Sequence, residues 1–398
     1  MIDLRRRITS LWVMHPGWWA FLATIALTLI GIEAIRTADP HFAQKQTIWF
    51  VIALTTMPLC LLPRPRVIGL ASYALLMATL ALLIFVIIPG LPRAIVPHVH
   101  HTTAWINLKF MRLQPSELTK ITFVLAMAWY LRHGRSYRSL RGLMAPFAFL
   151  FIPVALIFKQ PDLGTALLFG PTLLVILVAA GAKLRHITAL LAVGTLAVAL
   201  IVASIFYAPP VADLLLKPHQ QNRFKAMASL VNQDPRYDNT FNYQPRKSRM
   251  LIGAGQLVGY GKQGSSLLVH KLPEAHNDMI FAVIVNRWGL AGALVIFGLY
   301  MIIITSLSII AGQSHDPFVR LATVGFAGLI FTQAAINIAV NLGLLPVTGI
   351  TLPFVSYGGS SLVATYAMIG LAMNFATLQP AIISRPSFEF DEYKAVHA

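Results

Sequence analysis

Residues 270–281 read "HKLPEAHNDMIF", and residues 282–310 continue as "AVIVNRWGLAGALVIFGLYMIIITSLSII". The second stretch is long enough to cross the hydrocarbon of a bilayer, which takes about 20 predominantly apolar residues in a helix. The first places two acids, Glu274 and Asp278, where the chain enters that run. Ionisable groups within or beside a span are costly, and they read as functional by default.

The rest of the chain repeats the apolar pattern. Of 398 residues, 57% are hydrophobic and 11% charged, whereas soluble domains are about 25% charged. Mean hydropathy is +0.70. Ten runs have span length, near 17–35, 46–62, 68–89, 114–131, 143–159, 163–181, 187–207, 279–311, 318–342 and 359–378. The expected fold is an all-α membrane protein of ten transmembrane helices, one polytopic domain over 1–398. The first run lacks a small-residue cleavage site, so it reads as a helix and not as a removable signal. Short basic segments, "LRRR" near the start, "PRPR" at 63–66, "RHGRSYRSLR" at 132–141, "KLRH" at 183–186 and Arg320, fall on alternate connections. The positive-inside rule then puts both termini in the cytoplasm. It leaves a cytoplasmic tail at 379–398 and one large outer loop, 208–275, between helices 7 and 8.

A net charge of +17 is spread over loops and offers no single basic face, which argues against nucleic acid and for anionic membrane lipids or a phosphate-bearing substrate. A lone cysteine, Cys60, excludes an intrachain disulfide and a thiolate metal site. The outer loop carries Arg223, Arg246 and seven further cations, which could hold an anionic lipid-linked substrate or a departing diphosphate. Its glycine-rich part, "LIGAGQLVGYGKQGSS", lacks the GxxxxGK[ST] pattern and reads as a tight, mobile surface loop without a nucleotide.

Fourteen acids make a short census. Nine lie in cytoplasmic segments or outer loops. Glu33, Glu117, Asp162, Glu274 and Asp278 lie within or beside spans. Glu33 has Arg36 three residues on, a local helix pair. Glu117 and Lys120, in "LQPSELTKI", have the same spacing, and a structural ion pair competes with a functional one. Asp162, before "LGTALL", suits an N-cap, and Asn277 or Asp278 could cap the span that follows them. Capping does not preclude catalysis, because a partly desolvated carboxylate acquires the raised pKa of a general base.

Four stretches together resemble one family. "WINLKFMRLQPSELTKI" (105–121), "KQPDLGTAL" (159–167), "GAGQLVGYGKQGSS…LPEAHNDMIFAV" (253–283) and "NLGLLPVTGITLPFVSYGGSSL" (341–362) are similar, in order, to the SEDS proteins (shape, elongation, division and sporulation). The second stretch and "LLPVTG" look more like RodA than FtsW. The resemblance implies a peptidoglycan glycosyltransferase that polymerises lipid II on the outer face of the cytoplasmic membrane for elongation and rod shape, beside a class B penicillin-binding protein. It carries the essential acid onto Asp278, with Glu117 and Lys120 beside it in catalysis. Substrate contacts are expected from Trp105, Gln114, Ser116, Asp162, Arg223, Arg246, Glu274, His276, Pro353, Ser356, Tyr357, Gly358 and Gly359. Two departures stand out: "TTAWIN" lacks the family's basic residue before Trp105, and Asn286–Arg287 replaces its usual Glu-Glu pair. Nine residues past Asp278, Arg287 would lie roughly 13 Å deep at 1.5 Å per residue and needs an acid partner, with Glu117 or Asp162 the candidates.

On this reading, a GlcNAc 4-hydroxyl attacks the anomeric carbon of a second lipid II, and cations such as Arg223, Arg246 and Lys120 stabilise the leaving diphosphate. A divalent cation could share that role, although no dense carboxylate site is visible and "HVHH" (98–101) is weak metal spacing. "GITLPFVSYGGSSL" is non-helical chain between apolar runs, so it lines a cavity or is a plain turn. The rival classes are an FtsW-like division enzyme, a lipid II flippase or transporter, and a scaffold without chemistry.

Overall fold

The structure is a computed structural model that describes residues 15–92, 94–97, 104–108, 112–133, 136–216, 218–231, 243–270 and 272–377. The histidines of the 98–101 cluster and the tail lie outside them. Among the described residues, ten long helices carry the fold: α1 (Pro16–Ala38), α2 (Pro40–Leu59), α3 (Pro65–Ile87), α4 (Pro115–Leu131), α5 (Met144–Lys159), α6 (Leu163–Ala180), α7 (Leu184–Tyr207), and, after four shorter helices, α12 (Ile280–Gln313), α13 (Pro317–Asn341) and α14 (Gly359–Ala376). The shorter ones are α8 (Pro209–Leu215), α9 (Pro218–Val231), α10 (Tyr243–Gly255) and α11 (Gly261–Val269), so the stretch expected as a large loop is mainly helical. A two-stranded ladder pairs β1 (Ile106–Asn107) with β2 (Arg112–Leu113).

Local chemistry explains where the helices begin. Proline stands in the first turn of α1, α2, α3, α4, α8 and α13, where its missing N–H costs nothing and its fixed φ suits the helix. Asp39, Asp162 and Asp316 accept first-turn amides from His41, Thr165 and Phe318. The Asp39 cap followed by Pro40 explains why α2 starts six residues ahead of its apolar run.

Eight of the ten long helices are long and apolar enough to cross a membrane. α2 and α4 are the others. α4 carries Glu117 and Lys120 yet is buried along almost its whole length, so protein rather than lipid surrounds it. Its neighbours are α3 and α13, and α13 also packs on α6 and α12. α12 lies along α1, and α14 along α2. α7 stays at the edge, with only Ile187, Ser204 and Ile205 buried.

One expectation fails at α12. The run reads as continuous, but Gly289 has φ 66 and ψ −159, which breaks the helix. The glycine-rich segment expected as a mobile surface loop fills the break. Tyr260 N–H donates to the Asn286 carbonyl at 2.9 Å, and Leu290 N–H donates to the Gln256 carbonyl at 2.8 Å. Non-helical backbone is tolerated in a span only when other protein satisfies its polar groups, and the 256–260 backbone does so here. The approach is backbone to backbone: a Cβ on Gly289 would sit 2.3 Å from the Leu257 carbonyl oxygen. Gly289→Val is therefore expected to cost about 1–3 kcal/mol through its backbone conformation, with the clash in addition. The readouts are a lower thermal midpoint in detergent and faster protease cleavage near residue 257; an unchanged midpoint would refute the docking.

The break also corrects the placement of Arg287. It lies against the last turns of α1, where its polar partners are. Neither Glu117 nor Asp162 is its partner. Its guanidinium contacts the Glu33 carboxylate at 3.3 Å and donates to Thr37 Oγ1 at 2.6 Å, both near the end of α1, and lies over Trp288. Glu33 also pairs with Arg36, so one acid on α1 serves two arginines.

Candidate active site

The residues singled out from the sequence collect at one end of the bundle, where α2, α4, α6 and α14 begin and α13 finishes. Asp278 sits two residues before α12 and is 6% exposed. Its Oδ1 is buried without a hydrogen-bond partner. Burial, reinforced by the negative charge of Glu274, pushes the carboxyl up to about 7, while the backbone amides of Asp278 and Met279 and the Arg223 guanidinium pull the other way. Arg223 reaches in from α9, donating to the Val347 carbonyl at 2.8 Å. Burial lowers its own pKa, but Asp278 and Asp162 both favour its charged form. An anionic group entering this site would meet a half-desolvated guanidinium beside a carboxyl near its midpoint.

The turn that carries Asp278 is tightly held. Glu274 adopts φ 52, and its carbonyl accepts the Asn277 amide at 3.0 Å. The non-helical segment 349–358 docks against this turn: Ser356 Oγ donates to the Asn277 carbonyl at 2.6 Å, and Tyr357 N–H to the His276 carbonyl at 2.8 Å. The His276 ring stacks on Phe42 at 4.0 Å, with Tyr357 edge-on at 5.7 Å. Burial lowers the His276 pKa, so its imidazole is neutral near pH 7. Pro353 is fixed through its carbonyl by Tyr300 Oη at 2.6 Å. Gly358 N–H donates to Gln46, and Gly359 lies so near Trp49 that a Cβ would come within 2.4 Å of the indole. The PFVSYGG segment is thus a buried brace for the acid-bearing turn. Pro353, Ser356, Gly358 and Gly359 shape the site through their backbone and packing contacts.

The QPSE segment and Asp162 form the adjoining wall. Asp162 caps α6 through Thr165 and accepts Gln114 Nε2 at 3.2 Å. Its burial raises its pKa, and the Thr165 bonds restrain the rise. Lys120 Nζ bridges Glu117 at 2.9 Å and Gln333 at 3.0 Å, with both ionic side chains almost wholly buried. Glu117 Oε2 and the neighbouring Ser116 Oγ have no partner. Trp105 is half-buried beside β1. Arg246 is exposed on α10, and Arg223 is the loop cation that faces Asp278.

Among the described residues, no group of three His, Cys, Asp or Glu side chains could hold a metal ion. The donor set among the described residues offers no such site, and the chemistry below uses none.

Sequence reasoning missed a polar stripe on α13. Gln333, Asn337 and Asn341 recur every four residues, one face of a helix, and all three are buried. Gln333 joins Lys120 to the Thr351 carbonyl, while Asn337 and Asn341 both donate to the Asp278 carbonyl. Three carboxamides in register on an apolar span were the available signal.

Comparison with known proteins accords with this geometry. The FtsW of Thioalkalivibrio sulfidiphilus, named a probable peptidoglycan glycosyltransferase, is 34% identical, the match covering 94% of this chain and 88% of that one. The corresponding protein of Trichlorobacter lovleyi is 32% identical, with 89% and 91% covered. Among solved structures, a chain from a peptidoglycan synthase complex, solved for its structural coordination of polymerization and crosslinking, superposes with a TM-score of 0.73 at 28% identity, covering 90% of this chain and 97% of that one. The rod shape determining protein RodA of Thermus thermophilus gives 0.65 at 26% identity, with 92% and 97% covered. The family model for the FtsW, RodA and SpoVE cell cycle proteins matches residues 8–379. This multi-pass membrane protein belongs to the FtsW/RodA/SpoVE family, the SEDS proteins.

Proposed function

We propose that this protein is a peptidoglycan glycosyltransferase that polymerises lipid II, with Asp278 as general base. The observation that carries the reading is the buried Asp278 carboxyl, with one oxygen unpartnered, facing Arg223. The GlcNAc 4-hydroxyl of one lipid-linked disaccharide gives its proton to Asp278 and bonds to the anomeric carbon of the other chain's MurNAc. The bond from that carbon to the diphosphate oxygen breaks, and undecaprenyl diphosphate leaves with its charge stabilised by Arg223. Asp162, Gln114 and the Lys120–Glu117 pair complete the polar wall on which the sugar-diphosphate rests.

Ten spans with both termini in the cytoplasm fit this chemistry. The basic segments around Arg64, Arg132, Lys183 and Arg320 lie at the helix ends opposite Asp278, so the positive-inside rule turns the acid outward. The chain is one membrane domain, with α9 and α10 reaching the site through Arg223 and Ser248. A class B penicillin-binding protein is the partner expected, by analogy with the synthase complex. Two cellular roles remain distinguishable. Elongation is supported by the RodA-like stretches and by the RodA superposition, and division by the FtsW name of the sequence relatives. Rescue of an elongation-depleted or a division-depleted strain separates them.

The test is polymerisation of labelled lipid II by the purified protein with its partner, read as glycan strands on a gel. Transbilayer movement of lipid II without chain growth would instead make this a flippase. The pH dependence is a second check. Asp278 must be ionised to accept a proton, so the rate is expected to rise with pH, its acid limb centred near 7. Arg223 favours the carboxylate, so Arg223→Gln should move that limb to higher pH. A flat rate from pH 5 to 9 would refute the base assignment.

A further inference from the structure

The start of α12 poses a problem that its own sequence could solve and does not. A helix N-terminus leaves about four N–H groups without intrahelical partners, and here they are buried. Asn277 and Asp278 are both good capping residues by type and position. Neither reaches the first-turn amides of the helix: the position before Ile280 is Met279, with no side-chain cap bond, and the Asp278 carboxyl has only the adjacent amides of its own residue and of Met279 beside it. The Asn277 amide is turned to Glu274 Oε2, and Asp278 Oδ1 is unpartnered.

The capping oxygen comes from the other end of the chain. Asn341, the last residue of α13, accepts the Ala282 N–H on Oδ1 at 3.1 Å. The same carboxamide donates through Nδ2 to the Asp278 carbonyl at 2.7 Å, where Asn337 adds a second bond at 2.9 Å. The amide can face only one way, since flipping it would set oxygen against carbonyl and NH2 against N–H. Asn341 is itself anchored, its carbonyl accepting Ser248 Oγ from α10 at 2.8 Å. Asn337 is anchored in turn by the Ile350 carbonyl at 2.7 Å.

We propose that Asn341 is a positioning residue: by capping α12 in trans and gripping the Asp278 main chain, it releases the Asp278 carboxyl from capping and leaves it to the reacting hydroxyl. This rests on Asp278 as the base. A carboxylate that caps spends its oxygens on backbone N–H groups, which stabilises the ionised form and weakens it as a proton acceptor. Among the described residues, the charged groups facing Asp278 are Glu274 on its own turn and Arg223 from α9. From α13 it meets the neutral Asn337 and Asn341, and from the brace the Ser356 hydroxyl lies beside its turn.

The experiment compares Asn341→Leu, Asn341→Asp and Asp278→Asn in the full-length protein with its partner, measuring lipid II polymerisation from pH 5 to 9. Asn341→Leu vacates the Ala282 N–H, and Asp278 is drawn in to cap. Its kcat is expected to fall about tenfold or more, with KM changed far less, and the acid limb should move down by roughly one pH unit. Asn341→Asp keeps a capping oxygen but adds a negative charge beside Asp278, so its limb should move up. Opposite shifts from one position are not what a merely structural residue produces. If Asp278→Asn polymerises like wild type, the base reading itself fails. If Asp278→Asn is inactive while the Asn341 variants leave the limb at the wild-type pH, the positioning role is overturned and the base reading stands. Should Asn341→Leu not fold, Asn341→Ala, which also removes the capping oxygen, decides by the same downward shift: present, it supports the role; absent, it removes it.

Discussion

Asp278→Asn is expected to lower lipid II polymerisation by about 10²–10⁴-fold, the usual contribution of a positioned general base, without unfolding the protein. The substitution is nearly isosteric, and the structure shows why the turn should survive it. What holds residue 278 is its main-chain carbonyl, bonded by Asn337 and Asn341, while the N-terminus of α12 is capped by Asn341. No hydrogen bond to Oδ1 is lost, since that oxygen has none. A carboxamide cannot accept the hydroxyl proton at any working pH, so the loss should persist from pH 5 to 9 and not recover at the alkaline end. Binding of lipid II should change little if, as proposed, the leaving diphosphate is held by Arg223 and not by the acid. The measurement is the initial polymerisation rate beside lipid II binding and the thermal midpoint. Loss of rate with binding and midpoint near wild type locates the defect in chemistry. Polymer within twofold of wild type would leave the site without its base.

The sequence disclosed the bundle and misjudged its joints. Apolar runs bounded by proline and basic residues mark helices because span length and N1 proline are local rules; α1 and α3 follow both, and α6 and α14 follow span length alone. α12 does not. Its break at Gly289 arises because the backbone at 256–260 supplies hydrogen bonds from outside the helix, and no window centred on residues 282–310 contains that information. The same non-locality hid the partner of Arg287, which is Glu33, 254 positions earlier. It also misplaced the cap: Asn277 and Asp278 satisfy every local criterion, yet the oxygen comes from Asn341. Where the relevant partner lies three or four residues away, as for Glu117 with Lys120 or Asp162 with Thr165, spacing was sufficient to identify the pair. Such spacing could not say that Asp162 stands near both the Glu117–Lys120 pair and the Arg223 that faces Asp278, because their helices come together only in three dimensions.

Lys120→Met is expected to be the most destabilising single change in that wall. The ammonium gives one bond to Glu117 Oε1 and one to Gln333 Oε1, and Glu117 Oε2 already lacks a partner. Removing the cation leaves a carboxylate isolated among protein side chains, and breaking one side of a buried pair typically costs about 3–5 kcal/mol. The reverse change, Glu117→Gln, should cost less, because the amide oxygen can still accept from Lys120 Nζ. The double variant Glu117→Leu/Lys120→Met removes both charges together. It should recover most of the loss, since an apolar replacement of a buried ion pair is often neutral or stabilising. Thermal midpoints of the three variants in one detergent test this order; a Lys120→Met protein as stable as wild type would mean that the pair is solvated and not buried. The double variant also separates support from chemistry. If its stability returns and polymerisation returns with it, the pair serves only to hold α4 against α13. If stability returns and polymerisation does not, the charges act on the substrate, and the unpartnered Glu117 Oε2 is the atom through which the wall would meet a sugar hydroxyl.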